Sequence, residues 1–171
     1  MKKEIGAEPD IFAKLHVEPV RGIKRFRFIL LEYYCFRDSE ESGDLPRGLP
    51  WFPSPLALMV HIVKTRALAL LGFPCYFVKL EKEIVGLFAI QEQRESLLVA
   101  SLGIAKQYRR RGIGTCILGY IETIAEHMGK RWLEVDAWRK NIPAQRLYTR
   151  YGFTFTQGRG MHSLMRGKKP V

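Results

Sequence analysis

Hydrophobic and polar positions along the chain alternate between two periods. From Ser54 onward, Leu56, Met59, Val60, Val63 and Ala67 fall at helical spacing, with Pro55 at a first helical position and Gly72 as a stop. Cys75 to Leu80 and Ile84 to Gln91 read as two strands of a hairpin around Glu81-Lys82-Glu83, and Leu97 to Ile104 as a third. Gly112 to Met128 carries the clearest helix: Ile113, Ile117, Ile121, Ile124 and Met128 form a stripe that Leu118 and Ala125 widen, and Gly129 ends it. Arg131 to Trp138 reads as a strand and Pro143 to Tyr151 as a short helix stopped by Gly152. Phe153 to Thr156 and Met161 to Met165 read as closing strands, followed by a frayed basic tail, Arg166 to Lys169. Before all of these, Ile23 to Phe28 has a strand pattern, and Leu30 to Phe36 either continues it or opens a helix. The acid- and proline-rich stretch Arg37 to Pro55 reads as a long surface loop. Strands interleaved with helices indicate one α/β or α+β domain over residues 1–171.

Composition narrows the class. With 47% hydrophobic, 12% aromatic and 26% charged residues, the chain is neither disordered nor fibrous. Cys35, Cys75 and Cys116 are too few and too far apart for a disulfide framework, and Cys116 falls among the apolar positions of the long helix. Met1 to Lys14 holds no apolar run of signal-peptide length, and the most apolar stretch, Pro55 to Val78, is broken by His61, Lys64 and Arg66. The expectation is a cytoplasmic protein without a membrane span. The 28 basic against 17 acidic residues give +11, which favours anionic partners.

The densest chemistry lies at Arg109-Arg110-Arg111-Gly112-Ile113-Gly114, between a strand and the best helix. A helix start offers N–H groups with no partner inside the helix and a partial positive charge. Glycine lets an anion approach, and arginine supplies several donors to it. The segment therefore reads as a phosphate cradle. It is neither the dinucleotide fingerprint, since Ile117 stands where a third glycine belongs, nor a Walker loop, since no Gly-Lys-Ser/Thr exists. The four histidines, His16, His61, His127 and His162, have no metal-ligand spacing, and no metal site is expected.

Arg109-x-x-Gly112-x-Gly114 resembles the cofactor signature of the GCN5-related N-acetyltransferase superfamily. Asn141-x-x-Ala144-x-x-Leu147-Tyr148-x-x-x-Gly152-Phe153 is similar to that superfamily's second signature. The resemblance covers residues 75–165. It implies a mixed, mostly antiparallel sheet with helices on both faces and a parallel pair, Leu97–Ile104 and Arg131–Trp138, that splays at one end. Acetyl-CoA would lie in the splay. The backbone from Arg109 through Arg110, Arg111, Gly112, Ile113 and Gly114 to Thr115 would hold its pyrophosphate. Leu102 and Ile104 would pair with the pantetheine arm, Asn141 would bind near it, and Tyr148 would protonate the departing thiolate. The acceptor implied is a primary amine, either a protein N-terminus or a small amine, attacking directly in a ternary complex.

The amine's proton needs a destination, because a lysine-type amine of pKa ~10.4 is almost wholly protonated at pH 7. Relatives of the histone and arylalkylamine types carry bases on the strand before the cradle, where this chain has Leu98 and Ala100. Nearby acids are Glu92, Glu95, Glu134 and Asp136. Asp136 is preferred as a proton relay, because it stands close to the end where the strands should part. The rival reading is a basic module for nucleic acid or protein with a vestigial or regulatory acetyl-CoA site. The arginine run lacks the aromatic interleaving of a base-stacking surface, which makes nucleic acid the weaker partner. A homodimer stays open.

Overall fold

The structure, a computed structural model, describes residues 13–40, 72–139, 141–156 and 164–171. Among the described residues, seven strands form one sheet in the order β1-β2-β3-β4-β5-β7-β6. They are β1 Leu15–Pro19, β2 Cys75–Leu80, β3 Glu83–Glu92, β4 Ser96–Ile104, β5 Trp132–Trp138, β6 Thr154–Thr156 and β7 Leu164–Pro170. The helices are α1 Lys24–Glu40, α2 Ile113–His127 and α3 Ile142–Tyr151, with a short 3-10 turn at Lys106–Tyr108. Every neighbouring pair is antiparallel except β4 with β5, which is parallel. The expected mixed sheet is present, with helices on both of its faces.

The larger core lies on the α2–α3 face. Ile113, Ile117, Leu118, Ile121 and Ala125 of α2 pack with Val85, Phe88, Leu97, Val99, Leu133 and Val135 of the sheet. Burying side chains of this size stabilises by roughly 1.5–3 kcal/mol each, and this face is the main adhesive of the fold. The smaller core lies under α1, where Phe28 packs with Phe77, Leu87 and Ala89.

Three expectations are corrected. The strand read at Ile23–Phe28 is the start of α1, which runs on through Leu30–Phe36 to Glu40 and takes in the first residues read as loop. The alternating Arg25, Phe26, Arg27 and Phe28 mimics a strand, while the buried positions of the helix, Phe28, Ile29 and Glu32, include a glutamate where the pattern calls for an apolar residue. β1 carries no strong signal in five residues and is held by pairing with β2 from Leu15↔Leu80 to Pro19↔Tyr76.

The tail Arg166–Lys169 is not frayed. It lies within β7, paired to β5 and to β6. Its basic residues meet acids on both sides of the strand: Arg166 and Lys168 face Glu134 and Asp136, and Lys169 bonds Glu122 of α2. The helix expected at residues 55–72, most of the loop read at residues 37–55, and His162 lie outside the described residues.

One feature of the topology makes the site. β4 and β5 pair only from Ser96↔Trp132 to Val99↔Val135. Beyond that, β4 stays with β3 as far as Ile104, and β5 stays with β7 as far as Trp138. Ala100 is a bulge, since Ala89 faces Ser101 and Ile90 faces Val99. The strands therefore part at the bulge and leave a wedge-shaped opening.

Candidate active site

The wall of the opening follows from strand alternation. The Ala105 N–H donates to Val85 O at 3.0 Å, so Ala105, Gly103 and Ser101 bond toward β3. The backbone groups of Leu102 and Ile104 consequently point toward β5, where the strand has departed. An edge of unpaired amides inside a protein needs a partner, and a ligand with amide groups of its own supplies one.

The chain leaves β4 through the 3-10 turn and enters α2 by a bend that ordinary residues avoid. Arg110 takes φ +66° and Gly112 takes φ +81°, both left-handed. The first backbone bond of α2 in this bend is Cys116 N–H to Gly112 O at 3.1 Å, so the N–H groups of Ile113, Gly114 and Thr115 lie beyond the helix's own bonding. No side chain caps this end. A Cβ on Gly114 would stand 2.9 Å from Leu147 Cδ2 and 3.2 Å from Ile104 Cδ1. Gly114 is thus where β4, α2 and α3 converge, next to the helical turn that holds Tyr148.

The three arginines divide their duties. Arg109 donates Nε–H to Ile104 O and Nη2–H to Cys35 O, both at 3.0 Å, and so braces the end of β4 against α1. Both bonds run to backbone carbonyls at the end of β4 and on α1. Arg111 lies over the Tyr108 ring, 5.6 Å from its centroid, and the Tyr108 hydroxyl donates to Glu83 of β3. That bond holds the Tyr108 phenol above its ordinary pKa, with some help from burial. Arg110 is exposed.

The second motif builds α3. Asn141 Oδ1 accepts from Ala144 N–H at 3.2 Å, capping the helix, and Pro143 stands in its first turn. Gly152, at φ +105°, closes the helix, with Phe153 N–H reaching Tyr148 O at 3.0 Å. Asn141 and the Gly152-Phe153 pair therefore fix both ends of the element that carries Tyr148. The Tyr148 ring is buried, edge-on to Phe153 at 5.7 Å. Burial pushes its phenol well above the ordinary tyrosine range, and the Asp136 carboxylate pushes it further. At neutral pH the hydroxyl keeps its proton.

Asp136 does not stand free. Arg166 donates Nε–H to Asp136 Oδ1 at 2.9 Å and Nη2–H to Oδ2 at 2.8 Å, and reaches Glu134 Oε2 at 3.4 Å. Both oxygens of the expected relay are held by one guanidinium. Two groups that the sequence pattern did not single out are Glu32 and Ser101, both buried on the α1 face. Glu32 was hidden by the ambiguous pattern of α1, and a serine in a strand carries no signal by itself. Among the described residues no group of three or more His, Cys, Asp or Glu could hold a metal ion.

The chain and its fold have counterparts among known proteins. Residues 36–153 match the model of the acetyltransferase (GNAT) family, and the chain belongs to that family. No curated protein sequence matches the chain. Among solved structures, the fold is shared with the PaiA N-acetyltransferase of Thermoplasma acidophilum in complex with coenzyme A. That match has a TM-score of 0.75 and 13% identity, and covers 92% of this chain and 99% of that one. An acetyltransferase of Thermus thermophilus superposes with a TM-score of 0.70 at 18% identity, over 92% of this chain and 97% of the other. A GNAT family acetyltransferase of Elizabethkingia anophelis with acetyl-CoA bound gives a TM-score of 0.60 at 14% identity, over 92% and 99%.

Proposed function

We propose that the protein is an N-acetyltransferase that transfers the acetyl group of acetyl-CoA to a primary amine, a protein N-terminus or a small amine, by direct attack in a ternary complex. The observation that carries this reading is the parting of β4 and β5 beside the uncapped start of α2. The residues suit acetyl-CoA. The outward-facing backbone groups of Leu102 and the N–H of Ile104, whose carbonyl receives Arg109, match a pantetheine arm. The N–H groups of Gly112 to Thr115, with the helix dipole behind them, match a pyrophosphate.

Within this reading, backbone N–H groups near Ile104 receive the negative charge that develops on the acetyl oxygen. Tyr148, protonated at neutral pH, donates to the departing sulfur. Asn141 acts by fixing the start of α3. The three cysteines are free thiols, which accords with a reducing, cytoplasmic setting.

Calorimetry with acetyl-CoA tests the site. Asp tolerates left-handed backbone better than most residues, so Gly112→Asp should keep the fold. Its carboxylate would cap α2 and repel the pyrophosphate, so binding should fall at least tenfold. Unchanged affinity in a folded Gly112→Asp would remove the cradle assignment.

A further inference from the structure

The carbonyls at the exit of β4 are taken one after another. The Ala105 carbonyl accepts from Tyr108 N–H at 2.9 Å, and the Lys106 carbonyl from Arg109 N–H at 3.3 Å, both within the 3-10 turn. The Ile104 carbonyl faces the opening, and Arg109 Nε–H donates to it at 3.0 Å. The Arg109 side chain thus folds back five residues along the chain and closes the connection between β4 and α2. Gly103 is turned to β3, so the next carbonyl that faces the opening is that of Leu102. Beside the cradle, the edge of β4 therefore ends in a donor, the Ile104 N–H.

This arrangement is held from both faces of the sheet. On the α1 side, Arg109 Nη2–H donates to the Cys35 carbonyl at 3.0 Å. Cys35 itself presses on β4, since a Cβ on Gly103 would stand 2.8 Å from Cys35 Cβ. On the α2 side, Ile104 Cδ1 lies 3.2 Å from where a Cβ on Gly114 would stand. A planar guanidinium with donors on carbonyls of two elements has little freedom to turn. The Ile104 peptide is accordingly fixed relative to the start of α2.

We infer that Arg109 is a positioning residue that sets the register of an acyl-pantetheine chain on β4 by occupying the Ile104 carbonyl, an inference that rests on the acetyltransferase reading. An extended ligand pairs with a strand edge through alternating donors and acceptors. With its carbonyl taken, Ile104 offers only an N–H, and the ligand group that fits there is a carbonyl oxygen. The amide N–H of the arm is left to the Leu102 carbonyl. Without the Arg109 bond, two carbonyls compete for that N–H, and they stand two strand residues apart, about 6–7 Å. The pyrophosphate stays in the cradle, so the arm buckles between its two anchors and the thioester takes more than one position. Misplacement of reacting atoms by about 1 Å can cost about 10²-fold in rate, so a fixed register has a large return.

The test needs no acceptor amine. Acetyl-CoA carrying ¹³C at the acetyl carbonyl is bound to wild type, Arg109→Gln and Arg109→Met, and the bound carbonyl resonance is recorded by NMR. Affinity is measured on each by calorimetry. Glutamine puts an amide nitrogen where Arg109 Nε stands, and methionine puts a methyl group there. Both remove the charge and the bond to Cys35, so they differ only in the donor to Ile104. Arg109→Gln should keep the wild-type resonance, and Arg109→Met should move or split it. Neither should lose more than about tenfold in affinity, the usual worth of one hydrogen bond. A wild-type resonance in Arg109→Met overturns the proposal. So does the same departure in both variants, which assigns the effect to the contact with α1. A shared loss of affinity well beyond tenfold also overturns it and makes Arg109 a phosphate partner. Should Arg109→Met fail to fold, Arg109→Lys replaces it with the same expected outcome, since lysine has a methylene at the Nε position and an ammonium for the Cys35 carbonyl. A wild type that binds no acetyl-CoA strikes the acetyltransferase reading itself, and this inference with it.

Discussion

Tyr148 shows how much one residue depends on its neighbours. Its ring is held by Phe153 and Phe155, its helix by Asn141 and Gly152, and its proton by burial. A phenol kept neutral in this way is a proton donor and a poor base. Tyr148→Phe keeps the ring packing and removes only the hydroxyl. Turnover should fall about 10²–10⁴-fold, the usual worth of a general acid. Acetyl-CoA affinity, read by calorimetry, should change by less than about threefold. A variant with full turnover would show that the thiolate leaves unaided. The tyrosine was legible because it sits in a spaced motif. The division of labour among Arg109, Arg110 and Arg111 was not, because a run of like side chains does not tell which one turns inward. Only the fold brings the Ile104 and Cys35 carbonyls to Arg109.

Among the elements, those with a clean period were readable and those whose pattern is broken by charge were not. α2 announces itself by a stripe of isoleucines, and β2, β3 and β4 by apolar runs. β7 hides because its buried position is a glycine and its flanking positions are basic. The partners that make those charges acceptable, Glu134 and Asp136 on β5 and Glu122 on α2, lie 30 or more residues earlier. Gly167 is required by packing, since a Cβ there would stand 2.9 Å from both Phe155 Cε1 and Val135 Cγ2. Gly167→Ala should therefore destabilise by about 1–3 kcal/mol, the usual cost of overfilling a core. For a chain of this size that is a fall in Tm of roughly 2–12 °C, measurable by calorimetric or circular-dichroism melting. An unchanged Tm would mean that β6 yields at Phe155 and that β7 is less tightly held than its pairing indicates.

For the molecule as a whole, the sequence sets a charge of +11, and the fold decides where titration matters. On the acid side, hydrogen bonds from Lys24 and Lys79 hold Glu18 down to about 2, from an ordinary 4.5. That stabilisation is complete above the ordinary value and is lost as the pH falls toward 2. It is small, because the group is open to solvent. On the alkaline side the shifts of the Cys75 thiol and the Tyr148 phenol are upward and come from burial. Burial pushes the Cys75 thiol from 9.0 up to about 11, and pushes the Tyr148 phenol above its ordinary 10.0. An acid whose folded pKa lies above its unfolded value favours folding with its proton on. The unfolded chain releases that proton first, so stability is intact below pH ~9 and declines as the pH climbs through 9 to 11 and beyond. The stability curve should therefore be lopsided, with a shallow loss in acid and a steep loss in alkali. Tyr148→Phe removes one of the groups responsible and should move the midpoint of alkaline unfolding, followed by circular dichroism, to higher pH, while the midpoint in urea at pH 7 changes little. An alkaline midpoint that stays put in Tyr148→Phe would mean that the phenol reaches water through the opening between β4 and β5 and ionises there without unfolding the chain.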